Sequence, residues 1–266
     1  MHRIMILAPH PDDEILGCAG LIQKAGLKDC IWVVLATNGD YYGRESAAVR
    51  LLESQKALNW LNIEKSHIIP LGFGDTGMAK SASFLNRLYH AEPDAVCPSF
   101  VSDIAYHPLP ADAGFPNFEG VPYTRNGFKF SLGQAILRSC PDIIYAPSQY
   151  DAHGDHCALF FFLQEVLSDL NLDPVVRQYM IHGGDDKVWP PRNTPHFLKP
   201  PSCPNNLWKR RMIVSNIDAD QKRKLIQIFQ SQISPSGYLL SFAKSEEFFL
   251  EVCTHAEDKQ RGLVRV

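Results

Sequence analysis

Two apolar segments of this chain have the length and composition of buried strands, and each is followed within a few residues by a dense group of histidine and aspartate. The segment Ile4–Ala8 precedes the PHPDDE group of residues 9–14, and Ile143–Ala146 is followed by the DAHGDH group of residues 151–156. Because the carboxyl ends of parallel strands meet at one edge of a sheet, we expect the two groups to lie together. Imidazole and carboxylate are ligands for divalent metal ions. The sequence therefore predicts one metal site at the carboxyl ends of a parallel sheet.

Strand-like and helix-like segments alternate through the first 170 residues. Further buried strands are predicted at Cys30–Thr37 and Ser66–Leu71. Helices are predicted where apolar residues recur at steps of three and four, at about Asp13–Lys24, Glu45–Leu61, Phe130–Arg138, His156–Asn171 and Asp218–Gln232. This alternation is typical of α/β proteins, so the predicted fold is a Rossmann-like, mostly parallel sheet with helices on both faces.

Two proline-rich stretches interrupt the alternation. Residues 93–127 also contain glycines and many aromatics, which favour an ordered lid or insertion over a disordered linker. Residues 188–204 contain six prolines and are predicted to form a surface loop. No boundary of a second domain is evident, so residues 1–266 are predicted to form a single domain with a variable C-terminal part from about residue 183.

Bulk composition argues against several classes of protein. The net charge of −3 gives no basic surface for nucleic acid, and no apolar stretch approaches the roughly 20 residues that span a bilayer. The apolar start is too short for a signal peptide, so we expect a cytoplasmic protein without integral membrane contact. The seven cysteines are scattered and contain no CxxC pair, which argues against a disulfide framework or a thiolate zinc site.

Spacing within the two groups suits a shared ligand set. His10 and Asp13 are three residues apart, as are His153 and His156, and at a helix start this step places both side chains on one side. A catalytic zinc site needs about three nitrogen or oxygen ligands and one open position for water. His10, Asp13 and one histidine of the second group would supply them.

These residues resemble the signature motifs of the PIG-L/LmbE-type metal-dependent N-deacetylases, which remove acetyl groups from amino sugars in glycolipids, thiol cofactors, antibiotics and chitin fragments. The resemblance rests on residues 9–14 and 151–156, on the RLLESQKA helix of residues 50–57 and on the LGFGD turn of residues 71–75. It covers roughly the first 170 residues, and the remainder matches weakly. Gly154 stands where the family often has proline, and we expect this change to alter loop stiffness more than chemistry.

The resemblance implies a role for each matching position. His10, Asp13 and His156 would bind Zn²⁺, although the same donor set also suits Fe²⁺ or Co²⁺. Asp12 would be the general base, because it can take the proton from a metal-bound water whose pKa is lowered to about 7.

The remaining positions would act on the substrate. His153, protonated, would stabilise the oxyanion or protonate the leaving amine, and Asp155 would hydrogen-bond to His153 and favour its charged form. Arg50 would contact substrate oxygens. Asp75 and His182 are further candidates for the substrate-binding wall. Whether Asp12 or His153 delivers the proton to the amine stays open.

Each of these interpretations has a plainer alternative. The first aspartate pair could favour a helix N-terminus, and the second pair of histidines could be solvated loop residues. Arg50 could pair with Glu53 on an exposed helix face, Asp75 could be a turn residue, and His182 could be a structural histidine.

The predicted function is a metal-dependent hydrolase that removes an N-acetyl or other N-acyl group from a small amino-sugar substrate or conjugate. Homo-oligomers are frequent in the family that the chain resembles. A nucleotide-dependent transferase fits the fold, but the first strand-to-helix turn lacks the glycine-rich phosphate cradle. A non-catalytic metal-binding protein and a hydrolase of another amide or ester remain alternatives. Two-metal phosphoesterase chemistry is disfavoured, because the candidate ligands make one complete set and not two.

Overall fold

The computed structural model describes residues 1–26, 28–110, 118–183, 189–190 and 212–252. Its strands are β1 (Arg3–Ala8), β2 (Cys30–Thr37), β3 (Ile68–Phe73), β4 (Ile143–Pro147), β5 (Val175–Tyr179), β6 (Met212–Asn216) and β7 (Glu246–Val252). Its helices are α1 (Asp13–Ala25), α2 (Arg44–Trp60), α3 (Phe84–Tyr89), α4 (Arg125–Ser139), α5 (Gly154–Asp169) and α6 (Ala219–Ile226).

The strands form one sheet in the order β3-β2-β1-β4-β5-β7-β6. The first five strands along the chain run parallel, whereas β7 pairs antiparallel with both β5 and β6. The chain moves outward from β1 in one direction through β2 and β3, and in the other through β4 and β5. A crevice is expected where the direction reverses, between the carboxyl ends of β1 and β4. The predicted fold class, a mostly parallel α/β sheet, is confirmed.

Alternate residues of β1 show how the sheet is covered on both faces. Ile4 and Ile6 belong to a core shared with α1, α2 and α6, whereas Met5 and Leu7 belong to a second core shared with α3, α4 and α5. Side chains of a strand point to opposite faces in turn, so a strand covered on both faces needs apolar residues at every position. This requirement explains the continuous apolar run after Arg3.

The observed elements differ from the predicted ones in places. The third strand begins at Ile68, because the residues before it form a short 3-10 turn. Helix α4 begins five residues before the predicted Phe130, since the Thr124 hydroxyl accepts the backbone N–H of Gly127 at 2.9 Å and caps the helix there. Helix α6 ends at Ile226 and not at Gln232. The strands β5, β6 and β7 and the short helix α3 were not predicted as such.

The described part of the 93–127 insertion is anchored on the end of β3. The backbone N–H of Tyr106 and the hydroxyl of Tyr123 both donate to the carbonyl of Gly72, at 3.1 and 2.9 Å, and both rings are buried. Gly72 has φ 81°, and a Cβ there would lie 2.7 Å from the Tyr106 carbonyl oxygen. Glycine is therefore required for this close approach. Of the predicted surface loop 188–204, only residues 189–190 lie within the described residues.

Within the described residues, no helix combines the length and apolarity that a membrane crossing requires. The five cysteines among them are unpaired.

Candidate metal centre

Side chains from the β1–α1 and β4–α5 junctions meet at the point where the strand order reverses. One oxygen of Asp13 lies 3.1 Å from Nδ1 of His10 and 3.2 Å from Nε2 of His156. All three side chains are buried, and their ligand atoms lie within 4.8 Å of one another. Two atoms that bind one Zn²⁺ at about 2.0–2.2 Å are themselves about 3.2–3.5 Å apart. The three residues therefore have the spacing of a divalent metal site.

His156 shows why these side chains fit a metal ion. Both of its ring nitrogens are buried, and neither makes a hydrogen bond of acceptable geometry. Burial lowers the pKa of His156, but the carboxylates of Asp13 and Asp151 outweigh this effect and raise it to about 10. An unsatisfied buried nitrogen is unfavourable unless a bound ion or water completes it. A cation shared with His10 and Asp13 would be such a partner.

The second ring nitrogen of each histidine faces a further carboxylate. His10 Nε2 lies 3.1 Å from Asp155, and His156 Nδ1 lies 3.2 Å from Asp151. Asp155 is itself held by the backbone N–H of Leu85, which donates to its other oxygen at 2.7 Å. Carboxylates in this position fix the tautomer and orientation of metal-binding histidines.

Asp151 is the residue to which sequence reasoning assigned no role. Its Oδ2 accepts the backbone N–H groups of Ile181 and His182, each at 3.0 Å, and its Oδ1 accepts that of His153 at 2.9 Å. Burial raises the pKa of Asp151, but the adjacent His156 and these hydrogen bonds lower it below its ordinary value. The sequence signal was its place in the His/Asp group that follows β4, but two of its backbone partners, Ile181 and His182, come from another part of the chain.

Replacing Asp151 with asparagine is expected to weaken metal affinity about 10–100-fold, because His156 loses the charged partner that orients its ring. The dissociation constant is measured by competition with a chromophoric chelator. Asp169→Asn, at the exposed end of α5, is the matched control and keeps the wild-type affinity. Equal affinities of the two variants would contradict this role of Asp151.

His153 lies beside the cluster, with its ring centroid 4.7 Å from that of His10. It caps α5, and its Nδ1 accepts the backbone N–H of Asp155 at 3.1 Å. Since an amide N–H only donates here, Nδ1 keeps its lone pair and the proton of the neutral ring lies on Nε2. Burial and the neighbouring histidines lower the pKa of His153.

These contacts correct the expected pairing of Asp155 with His153. The two residues do hydrogen-bond, but through the backbone N–H of Asp155, whereas its carboxylate faces His10. The carboxylate is therefore not hydrogen-bonded to the His153 ring in the way that we expected to favour a charged ring, and burial instead favours the neutral form.

Asp12 has an unusual backbone conformation at the start of α1. Its φ of 147° lies in a region that residues with a Cβ rarely adopt. Its N–H donates to the Glu14 carboxylate at 2.9 Å, and its own carboxylate accepts from Arg50 at 3.1 Å. Burial raises the pKa of Asp12 to about 6, against the opposing charge of Arg50. The side chain is therefore held in one position next to the cluster.

The predicted substrate-binding residues Arg50, Asp75 and His182 all lie near the metal centre. Arg50 and Asp75 are neighbours, whereas His182 contacts other residues. Arg50 is buried against Asp12 and lies 3.9 Å from Asp75, whose other oxygen accepts the N–H of Gly77 in a turn. The ring of His182 lies 4.9 Å from that of His156, and its Nδ1 is 3.1 Å from the Tyr238 hydroxyl. Burial lowers the pKa of His182 to about 4.

Gly154, which departs from the motif, lies against the segment before α3. An added Cβ would be 2.8 Å from Cβ of Ser83 and 2.9 Å from Cα of Lys80. The space that a larger residue would need is therefore filled by this segment, so packing, and not loop stiffness alone, favours glycine here.

Comparison with known proteins gives a consistent result. Residues 5–167 match the family described as PIG-L, GlcNAc-PI de-N-acetylase. The diacetylchitobiose deacetylase of Thermococcus kodakarensis is 34% identical over 83 residues, which are 28% of this chain and 30% of that protein. The match thus spans less than a third of the relative's length.

Two solved structures illustrate the fold. The N,N′-diacetylchitobiose deacetylase of Pyrococcus horikoshii, in complex with an inhibitor, has a TM-score of 0.55 at 18% identity, covering 94% of this chain and 83% of its own. The 4-carboxy-2-hydroxymuconate hydratase of Pseudomonas putida KT2440 has a TM-score of 0.53 at 13% identity. This match covers 96% of the present chain and 98% of the hydratase chain. At such identities the likeness shows the fold alone. Because the family match covers more than half of the chain and includes both His/Asp groups, the chain belongs to the PIG-L family of deacetylases.

Proposed function

We propose that this protein is a zinc-dependent hydrolase that removes the N-acetyl, or another N-acyl, group from an amino sugar or sugar conjugate. The observation that carries the proposal is the buried set of His10, Asp13 and His156, with the constrained carboxylate of Asp12 beside it. Two imidazoles and one carboxylate are a donor set typical of catalytic zinc, although Fe²⁺ and Co²⁺ suit it as well. The relatives named above include deacetylases of diacetylchitobiose, an amino-sugar compound.

A divalent ion held by these three residues would supply a Lewis acid that activates water and polarises the acyl carbonyl. Asp12 then receives the proton of the attacking water. Its pKa of about 6 lies closer to neutral pH than that of an ordinary aspartate, which suits a general base. Arg50 has a positioning role in this scheme, because its guanidinium donates to the Asp12 carboxylate.

His153 stabilises the acyl oxygen as a neutral hydrogen-bond donor. Its Nε2–H can donate to the oxygen as negative charge develops there, while the Asp155 N–H keeps the ring in this tautomer. Loss of this proton to the amine would leave an unfavourable anionic ring. We therefore assign protonation of the leaving amine to Asp12, which holds the proton taken from water.

Asp75 and His182 lie near the centre and remain proposed substrate-binding residues. Asp75 lies next to Arg50, and His182 lies between the cluster and Tyr238. The described part of the 93–127 insertion packs on the end of β3, which supports its proposed role as a lid beside the site.

Removal of the metal is expected to abolish amine release from N-acetylglucosamine and N,N′-diacetylchitobiose, and about one equivalent of Zn²⁺ per chain should restore it. Elemental analysis of the same samples gives the metal content, and thermal unfolding checks that the chain stays folded. Full activity in the metal-free protein would overturn the mechanism. Protein that binds zinc but releases no amine from either sugar would overturn the proposed substrate class.

A further inference from the structure

We propose that Tyr41, Tyr42 and Phe100, here called the aromatic rim, form a subsite for a second sugar ring next to the sugar that carries the acyl group. This inference rests on the proposed function and specifies its substrate class: an N-acyl amino sugar linked to another sugar ring is preferred over a free monosaccharide.

The three aromatic side chains of the rim are exposed to solvent. Tyr42 is 83% exposed, Phe100 69% and Tyr41 44%. Tyr41 meets the other two rings edge-on, at centroid distances of 4.9 Å to Tyr42 and 5.6 Å to Phe100. Edge-on contacts leave ring faces uncovered, so the rim offers flat apolar surfaces together with two phenolic hydroxyls.

The rim is linked through one short segment to the proposed oxyanion donor. The backbone of Gly77 packs against the ring of Tyr41, since a Cβ there would be 3.2 Å from the ring. The next residue, Met78, accepts the N–H of Gly154 through its carbonyl at 3.3 Å. Gly154 directly follows His153 in the chain. The rim and the metal centre therefore share a wall at the carboxyl end of the sheet.

The loops that carry the rim are held in place. Asp40, which precedes Tyr41, is fully buried and accepts the N–H of Asp75 at 2.7 Å and the hydroxyl of Tyr106 at 2.8 Å. Ser99, which precedes Phe100, donates its N–H to the Ser102 carbonyl at 2.8 Å. A surface fixed in this way loses little conformational entropy when it binds a ligand.

The metal centre itself offers little surface to a ligand. His10, Asp12 and His153 are only 6–7% exposed, so we expect only an acyl group and the adjacent part of its sugar to reach them through the opening. Any further ring must lie outside this opening, on the surface that surrounds it. A sugar ring has an apolar C–H face and a hydroxylated edge, which matches aromatic faces flanked by tyrosine hydroxyls. The contacts of Gly77 and Met78 place the rim beside the segment that contains His153, so we assign the further ring to the rim.

The test compares kcat/KM for N,N′-diacetylchitobiose with that for N-acetylglucosamine. In the wild type this ratio is expected to exceed one. Tyr42→Leu and Phe100→Leu should each lower the ratio about tenfold through the KM of the disaccharide, because the stacking face is lost. Tyr42→Phe keeps the ring and should keep the ratio. Phe130→Leu, an exposed aromatic on α4, is the matched control and leaves the ratio unchanged.

Binding of diacetylchitobiose is measured separately by calorimetry in an Asp12→Asn background. Suppose that the protein without the Asp12 substitution hydrolyses neither sugar, but that Tyr42→Leu weakens the binding of diacetylchitobiose about tenfold. This result would support the subsite and overturn the proposed function. Hydrolysis with a ratio unaffected by Tyr42→Leu and Phe100→Leu would overturn the subsite and leave the function standing. If the rim variants bound the sugar as the wild type does but no longer sedimented as a dimer, the subsite would also be overturned. The rim would then be a contact between two copies of the chain.

Discussion

The Asp12→Asn variant is expected to release amine about 10²–10⁴-fold more slowly than the wild type while binding about one metal per chain. Asparagine has the shape of aspartate and still offers Arg50 an oxygen acceptor, so the contact at 3.1 Å can persist. Because it is nearly isosteric with aspartate, we expect it to preserve the unusual backbone at this position. The variant removes only the ability to take a proton from water. The effect should therefore fall on kcat, measured by steady-state amine release.

Two controls separate this effect from structural damage. Metal content by elemental analysis should equal that of the wild type, and Asp142→Asn, at a largely exposed aspartate before β4, should keep the wild-type kcat. A kcat within a few-fold of the wild type would mean that another group takes the proton. Loss of the metal would mean that Asp12 is a ligand and not the base.

The Glu247→Ala variant is expected to lose about 3–5 kcal/mol of unfolding free energy. Glu247 and Lys222 form an ion pair of 2.7 Å that is almost completely buried. The same carboxylate accepts the backbone N–H groups of Gly20 and Leu21 in α1, at 2.8 and 3.0 Å. Its removal would leave a buried ammonium group and two backbone donors without their partner. The free energy is measured by urea unfolding.

Lys222→Met is the informative comparison. This variant removes the charge partner but leaves Glu247 with its two backbone donors. Its unfolding free energy should therefore fall by less than that of Glu247→Ala. Asp169→Ala, which breaks a partly exposed ion pair with Lys129, should cost no more than about 1 kcal/mol. If Glu247→Ala were as mild as Asp169→Ala, the buried pair would have no special role in stability.

The parallel half of the fold could be predicted because its strands are buried on both faces. Such strands form continuous apolar runs, as in Cys30–Thr37, whose predicted bounds agree with β2. The later strands lack this signal. β5 contains Arg177 and Gln178 within five residues, and β7 contains three glutamates within seven. Glu247 is compatible with the interior only because of Lys222 and α1, which are distant in sequence.

The convergence of the candidate ligands could also be predicted, because the positions of His10, Asp13 and His156 follow from which strand ends are adjacent. The partners of the supporting carboxylates could not. Asp155 is one residue from the start of α5, and whether its carboxylate faces His153 or His10 depends on the backbone turn there. The tautomer of His153 depends in turn on the hydrogen bond with which this side chain caps α5. A His/Asp motif alone does not indicate such a hydrogen bond.

The antiparallel strand β7 has a consequence for where this protein can be divided. The family match ends at residue 167, but the outer edge of β5 is covered by β7, and Phe249 of β7 packs edge-on against Tyr145 of β4 at 4.8 Å. A fragment that stopped near the end of the match would lack β5 and present β4 as an open edge, with unpaired backbone groups and an uncovered aromatic ring, which favours aggregation. The segment that carries the recognisable motifs is therefore shorter than the segment that can fold, and the C-terminal part is needed to complete the sheet.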